Sequence, residues 1–376
     1  MLLIKNADCY APRHLGRRDL LIAAGKILAL RPGIPPAQEY DVQVIDCQGR
    51  AVCPALVDQH MHILGAGGEA GPRSRIPEIM ASEIELAGIG TVVGLLGADG
   101  VTRGVPALLA KARALEDEGL TTRIYTGSYA LPTDTLTGRV LHDLVYVEKV
   151  IGAGEVAISD YRSSHPNLEM LRQLAWEVKL GAMLGRKAGV VHLHVGDGRK
   201  GLDPLRALIG ESEFPVEMFV PTHINRNRTL LAEGAEYAKG GGFVDLTAGQ
   251  PPGKGLGAPA ALSYLLGRGV PLSAITLSSD AGGTNPQSAD GRGHPGDFFR
   301  DFIACARERG LEAALAAASE NPARRLGLYP EKGALEAGGD ADVLVLGPDF
   351  SIEWLILKGR IAVEHGICRM KGQYEA

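Results

Sequence analysis

Paired cysteines are missing from this chain. Its five, Cys9, Cys47, Cys53, Cys305 and Cys368, are scattered, odd in number and never spaced as CxxC. That excludes a disulfide framework and a cysteine-based zinc site, and it points to reduced thiols in the cytoplasm. Long apolar runs are missing too: none approaches the ~18 residues of a spanning helix. The first residues meet Lys5 and Asp8 too early to hold the apolar core of a signal peptide. Surplus charge is also absent. A net charge of −5 gives no reason to expect nucleic acid or an anionic membrane as a partner.

What is present is an ordinary globular composition, 45% apolar and 22% charged, with 50 glycines for tight turns between short elements. At 376 residues, one large barrel plus a small accessory domain is the expected division. Residues 1–53 read as strands and turns: LLIKNADCY, DLLIAAGKILAL and EYDVQVIDCQGRAV, with hairpin signals at Gly25-Lys26 and Gln48-Gly49. RPGIPPAQ between them is a loop. From residue 54, short apolar runs alternate with helical segments. The expected strands are 55–60, 90–96, 122–127, 155–159, 189–194, 216–223, 241–246 and 274–279. Eight such alternations match a (β/α)8 TIM-like barrel, and no GxGxxG follows the first strand to favour a doubly wound sheet. Residues 331–376 return to β character. The expected architecture is an α/β chain, with a barrel over 54–330 and a small β-sandwich domain built from 1–53 and 331–376.

In such a barrel the chemistry sits at the C-terminal ends of the strands. There the first strand carries His60 and His62, two residues apart and so on one face. Glu155 is read as opening the fourth strand, His194 closes the fifth, His223 the sixth, and Asp280 follows the eighth. Four imidazoles and two carboxylates suit one or two Zn2+-like ions with open positions for water. His192 lies on the same face as His194 but deeper, as a core residue or a support for a ligand. His14, His142, His165, His294 and His365 fall in loops, helices or the tail, where solvation is expected.

The stretches VDQHMHILGAGGEAGP, VVGLLGAD, AISDYRS, HVGD, PTHINRN, LSSD and GDADVLVL extend from the first domain to the last. Together they resemble the amidohydrolase superfamily and, within it, the isoaspartyl (β-aspartyl) dipeptidases. GGEAGP and THINRN are far more specific than the His-x-His pair alone. The resemblance implies two divalent ions of the Zn2+ kind, one held by His60, His62 and Asp280 and the other by His194 and His223. Glu155 would bridge them, where the family usually has a carboxylated lysine. A glutamate is shorter, so its strand must approach the ions, and Gly152 and Gly154 could permit an inward bulge. Lys149 is read as the end of a helix, too early to be that lysine.

The resemblance further implies hydrolysis of a small isoaspartyl dipeptide by metal-activated hydroxide. Asp280 would act as general base and then acid, and Tyr129 would donate to the oxyanion. Arg162 and Arg226 would clamp the α-carboxylate, and Glu69 would hold the free α-amine. Thr284 stands where a serine is expected and can still hydrogen-bond, whereas Ala98 replaces a threonine and cannot do so through its side chain. The other readings are an amidohydrolase acting on N-acyl amino acids or cyclic amides, and a non-catalytic scaffold on the same barrel. Residues 281–297, rich in Gly, Pro and polar groups, are expected to form a loop at the active-site end. A homo-oligomer is implied by the resemblance alone.

Overall fold

The structure is a computed structural model that describes residues 1–36, 41–250, 253, 255–286 and 288–375. Positions 37 and 38 of the expected Pro-rich loop, 39 and 40 of the third N-terminal segment, and 287 of the polar loop lie outside the described residues.

All eight expected barrel strands form: Leu56–Met61, Ile89–Gly94, Thr121–Thr126, Val150–Ile158, Val190–Val195, Phe219–Thr222, Val244–Thr247 and Ile275–Ser278. They are buried along almost their whole length. That is why they read as apolar runs without alternation, as parallel strands covered on both faces do. The first six pair in order as a curled parallel sheet, and the seventh and eighth pair with each other. The eighth returns to the first through Asp280 N–H to the His60 carbonyl (3.1 Å) and His62 N–H to the Ala281 carbonyl (2.8 Å). Between the sixth and seventh, side chains make the join. The Asn225 amide accepts from Thr247 N–H at 2.8 Å and donates to the Thr247 carbonyl at 2.9 Å, while the Thr222 hydroxyl donates to Asp245 at 2.7 Å.

A helix follows every strand, from the single turn and a bit of Ala81–Glu85 to Leu168–Gly185 and Pro295–Arg309. Two helices start where the sequence supplies a cap: Asn167 Oδ1 accepts from Met170 N–H at 2.9 Å, and Asn227 Oδ1 from Leu230 N–H at 2.8 Å. No helix among the described residues is long and apolar enough to cross a membrane.

The two chain ends meet in one nine-stranded sheet. Val343–Leu346 runs antiparallel to Ala51–Pro54, with Val343 opposite Pro54 and Leu346 opposite Ala51. One apolar core of its own, including Leu2, Ile4, Ile22, Val52, Val343 and Ile356, takes residues from both ends. The first hairpin forms, turning at Ala24-Gly25 between His14–Ala23 and Lys26–Arg31. The second expected hairpin does not. Gln48-Gly49 makes its turn with both residues at positive φ, but Gln43–Asp46 and Ala51–Pro54 each lie parallel to Leu2–Tyr10 rather than against each other.

The fourth barrel strand corrects another expectation. It begins at Val150, so Glu155 lies within it and does not open it. Lys149 sits just before the strand, at the end of the barrel away from the site, where it pairs with Glu116. The expected bulge is present: between Ala153↔Val191 and Val156↔Leu193, Gly154 and Glu155 together face the single residue His192. A Cβ on Gly152 would meet the Val190 carbonyl at 2.2 Å, and one on Gly154 the His192 carbonyl at 2.6 Å. Glycine at both positions is what lets the strand come this close.

Candidate active site

The bulge sends the Glu155 carboxylate into the barrel mouth, where four histidines and Asp280 surround it. Glu155 Oε2 lies 2.9 Å from His60 Nε2 and 3.4 Å from His223 Nε2, and Oε1 lies 3.4 Å from His194 Nδ1. Asp280 Oδ1 is 3.2 Å from His62 Nε2 and 3.4 Å from His60 Nε2. His62 and His223 each follow their strand by one residue and Asp280 follows its strand by two. His223 and Asp280 take left-handed backbone, φ 62 and 54, to turn inward. That conformation is uncommon away from glycine and clusters at functional sites.

Whether these residues suit divalent cations can be judged from their polar atoms. Both Glu155 oxygens, His60 Nε2 and His62 Nδ1 are buried and lack a hydrogen-bond partner. A buried carboxylate left in that condition is costly unless a cation meets it. Among the described residues four sets of donor atoms lie within 4.8 Å of one another: His60, His62 and Glu155; His60, His223 and Asp280; Glu155, His194 and His223; and, through the supporting His192, His60, His192 and Asp245. Glu155 belongs to two of them, as a bridging ligand would. The nitrogen and oxygen donors match a Zn2+-like ion, so the residues fit.

The electrostatics agree. Burial opposes ionisation of Glu155, but the imidazoles of His60 and His194 hold it well below the usual carboxylate range. Asp280 is held low in the same way, against burial, by the neighbouring imidazoles of His60 and His62. Burial, then the Arg226 charge, push His223 down to about 3, leaving the neutral imidazole that ligation requires. The far nitrogens are also held: His60 Nδ1 by His192 Nε2 at 2.8 Å, His223 Nδ1 by the Thr247 hydroxyl at 2.7 Å, and His194 Nε2 by Asp160 at 2.8 Å. His192 is thus a support behind His60, one of the two places the sequence left open for it.

The expected substrate residues stand above this cluster. The buried Tyr129 hydroxyl is 2.8 Å from His194 Nδ1, and the Arg162 guanidinium lies 5.3 Å over its ring. Arg162 also reaches Glu69 at 3.3 Å, and the Thr284 hydroxyl donates to the other Glu69 oxygen at 3.4 Å. Arg226 Nε is buried without a partner. Glu69, Arg162, Arg226 and Thr284 line a cleft of about 790 Å³. An adjoining cavity of about 240 Å³ shares Arg226 and Thr284 and reaches Asp280. Ala98 is exposed beside Glu69 and offers no polar side-chain atom there. Part of the expected polar loop is ordered by its own backbone, with Gly282 N–H to Gly293 O at 3.0 Å and Asn285 N–H to Gly291 O at 2.9 Å. It ends sooner than expected, because Pro295 already starts a helix.

Asp160, Thr247 and Asn225 were not singled out by sequence reasoning. Asp160 stands two residues before Arg162 in SDYRS, and Thr247 closes the seventh strand, so strand-end position was the available signal for Thr247.

Residues 257–362 match the Amidohydrolase family. The β-aspartyl dipeptidase of Fervidobacterium islandicum AW-1 is 36% identical to this chain, with 100% of each covered and a TM-score of 0.93. The same enzyme in complex with a β-Asp-Leu dipeptide gives 37% identity over 100% of this chain and 99% of that one, with a TM-score of 0.92. Dihydroorotase from Staphylococcus aureus strain Mu50 is 38% identical over 69 residues, 18% of this chain, and the chain spans only 16% of its length.

Proposed function

The chain belongs to the amidohydrolases and, among them, to the β-aspartyl dipeptidase family, and on that premise we propose that it hydrolyses the isopeptide bond of isoaspartyl dipeptides. The observation that carries this reading is the Glu69–Arg162 pair at 3.3 Å, directly above the metal-ligand cluster, with the buried Arg226 Nε still unpartnered. A zwitterionic head group can replace that pair: its α-amine meets Glu69, and its α-carboxylate meets Arg162 and Arg226 in a geometry lysine cannot copy. Its β-amide then lies over the cluster.

His60, His62, His194, His223, Glu155 and Asp280 would hold two divalent ions, with Zn2+ the preferred identity and Glu155 as the shared ligand. When bound, such ions supply a nucleophile at neutral pH and polarise the amide carbonyl. The chain's own groups do the remainder. Asp280 takes the proton of the attacking water and delivers it to the leaving amine. The Tyr129 hydroxyl donates to the oxygen on which negative charge develops. Glu69 and the two arginines keep the scissile amide in register with Asp280. Thr284 holds Glu69 through its hydroxyl.

The division into a catalytic barrel (54–330) and a small β-domain (1–53 with 331–376) is part of the proposal. So is a cytoplasmic, homo-oligomeric protein; all five cysteines are free and buried, which supports a reducing compartment. The test is release of aspartate from β-Asp-Leu by protein reconstituted with Zn2+, alongside a panel of N-acyl amino acids. An N-acyl amino acid lacks the amine that Glu69 would meet, so it is expected to react far more slowly. Preferential cleavage of N-acyl substrates would replace the isoaspartyl reading.

A further inference from the structure

Asp160, two residues beyond the fourth barrel strand and 5% exposed, has no part in the reaction as described. Its carboxylate is shared between two groups that do. Oδ2 lies 2.8 Å from His194 Nε2 and accepts from Arg162 Nη2 at 2.9 Å. Oδ1 accepts from Arg162 Nε at 3.0 Å and from the Arg162 backbone N–H at 2.8 Å. The fold makes room for this. Gly196, in the HVGD turn that follows His194, comes so close that a Cβ there would sit 2.4 Å from Asp160 Oδ2. Asp160 therefore depends on a glycine two residues after the histidine it holds.

We infer that Asp160 is a positioning residue that ties the metal ligand His194 to the substrate-binding Arg162, so that metal and substrate tighten each other's binding. By accepting the Nε2 proton of His194, it fixes the tautomer whose Nδ1 lone pair faces Glu155, 3.4 Å away. By accepting from both Nε and Nη2, it locks the guanidinium plane of Arg162. Whichever ligand arrives first immobilises the shared carboxylate, and the second then meets a group already in place. Reciprocity requires the effect to run equally in both directions. The substrate half rests on the isoaspartyl reading; the metal half does not.

The test is titration of the metal-free full chain with buffered Co2+, following its visible absorption, with and without saturating L-aspartate as the zwitterionic probe. Wild-type protein is expected to bind Co2+ several-fold more tightly when L-aspartate is present. In Asp160→Asn, which keeps the shape but not the charge, the Co2+ dissociation constant should rise roughly 10- to 100-fold, as for other residues that orient a metal ligand. Its Co2+ spectrum should change, and L-aspartate should raise Co2+ affinity less than in wild type, because only the direct contact of its β-carboxylate with the metal remains. Gly196→Ala, which leaves Asp160 chemically intact but crowds it, should shift both quantities in the same direction. Wild-type Co2+ affinity and spectrum in Asp160→Asn, or an undiminished aspartate effect, would overturn the inference. A wild-type protein that binds both Co2+ and L-aspartate by calorimetry, with neither altering the other's affinity, would overturn the linkage alone; one that binds Co2+ but no L-aspartate would overturn the isoaspartyl reading, while the Co2+ affinity of Asp160→Asn still decides the metal half.

Discussion

Glu155→Gln is the most revealing change in the barrel mouth. The carboxylate is wholly buried, has no hydrogen-bond partner, and has one oxygen toward His60 and His223 and the other toward His194. Glutamine keeps the shape, removes the charge and turns one acceptor into a donor aimed at the same imidazoles. Removing one partner of a buried charge pair costs ~3–5 kcal/mol. With ~1.4 kcal/mol per factor of ten, affinity for the ion that relies on His194 and His223 should fall by roughly two to three and a half powers of ten. Elemental analysis after dialysis against a metal-buffered solution reads this directly. The wild-type chain should retain two ions and the variant one, and hydrolysis should fall with the lost occupancy. A variant that is folded by circular dichroism and retains the wild-type metal content would show that Glu155 is not a ligand.

Tyr129→Phe should lower kcat by ~10²-fold or more while leaving metal content unchanged, the cost of deleting one oxyanion donor; an unchanged kcat would remove Tyr129 from the mechanism. Asn225→Ala removes three hydrogen bonds, the buried pair to Thr247 N–H and the Thr247 carbonyl and a partly buried one to the Leu256 carbonyl. At about 1 kcal/mol each, urea unfolding should show a loss of ~3 kcal/mol, and a loss below about 1 kcal/mol would mean the join between the sixth and seventh strands does not depend on it. Glu85 supplies a pH test. Burial raises its carboxyl from 4.5 to about 8, against the hydrogen bond it accepts from Cys368 Sγ at 3.0 Å. The folded chain therefore keeps a proton that the unfolded chain has already released. The resulting stability is full below pH 4.5 and is lost as pH rises toward 8. Glu85→Gln should accordingly match wild type near about pH 5 and melt at a higher temperature near about pH 9, and a difference in Tm that stays constant across that range would contradict the assignment.

His60, His62, His194 and His223 were readable because each stands at or just past the end of an apolar run, where barrel geometry gathers side chains. The strand count was readable for the same reason. The start of the fourth strand was hidden by Gly152 and Gly154, residues depleted in strands, which are present here because the Val190 and His192 carbonyls leave no room for a Cβ. The Gln48-Gly49 turn was visible, but its partner strand was not, since pairing with Leu2–Tyr10 is decided by contacts about forty residues away. Thr247 and Asn225 act on residues brought in by other strands, and Asp160 joins its neighbour Arg162 to His194 of the next strand. Beyond the strand-end place of Thr247, their chemistry is not marked locally: an aspartate before Tyr-Arg and an asparagine after His-Ile find their partners only when the barrel closes.

A cleft built for an isoaspartyl head group over a metal cluster must distinguish β-Asp-Leu from α-Asp-Leu, and the two peptides can be compared on the same Zn2+-reconstituted protein. In the α-linked peptide the free carboxyl is on the side chain and the scissile amide on the α-carbon, so the contacts to Glu69, Arg162 and Arg226 cannot form with the amide over the cluster. Aspartate should be released rapidly from the β-linked peptide and little from the α-linked one. Equal kcat/KM on the two would contradict such a cleft.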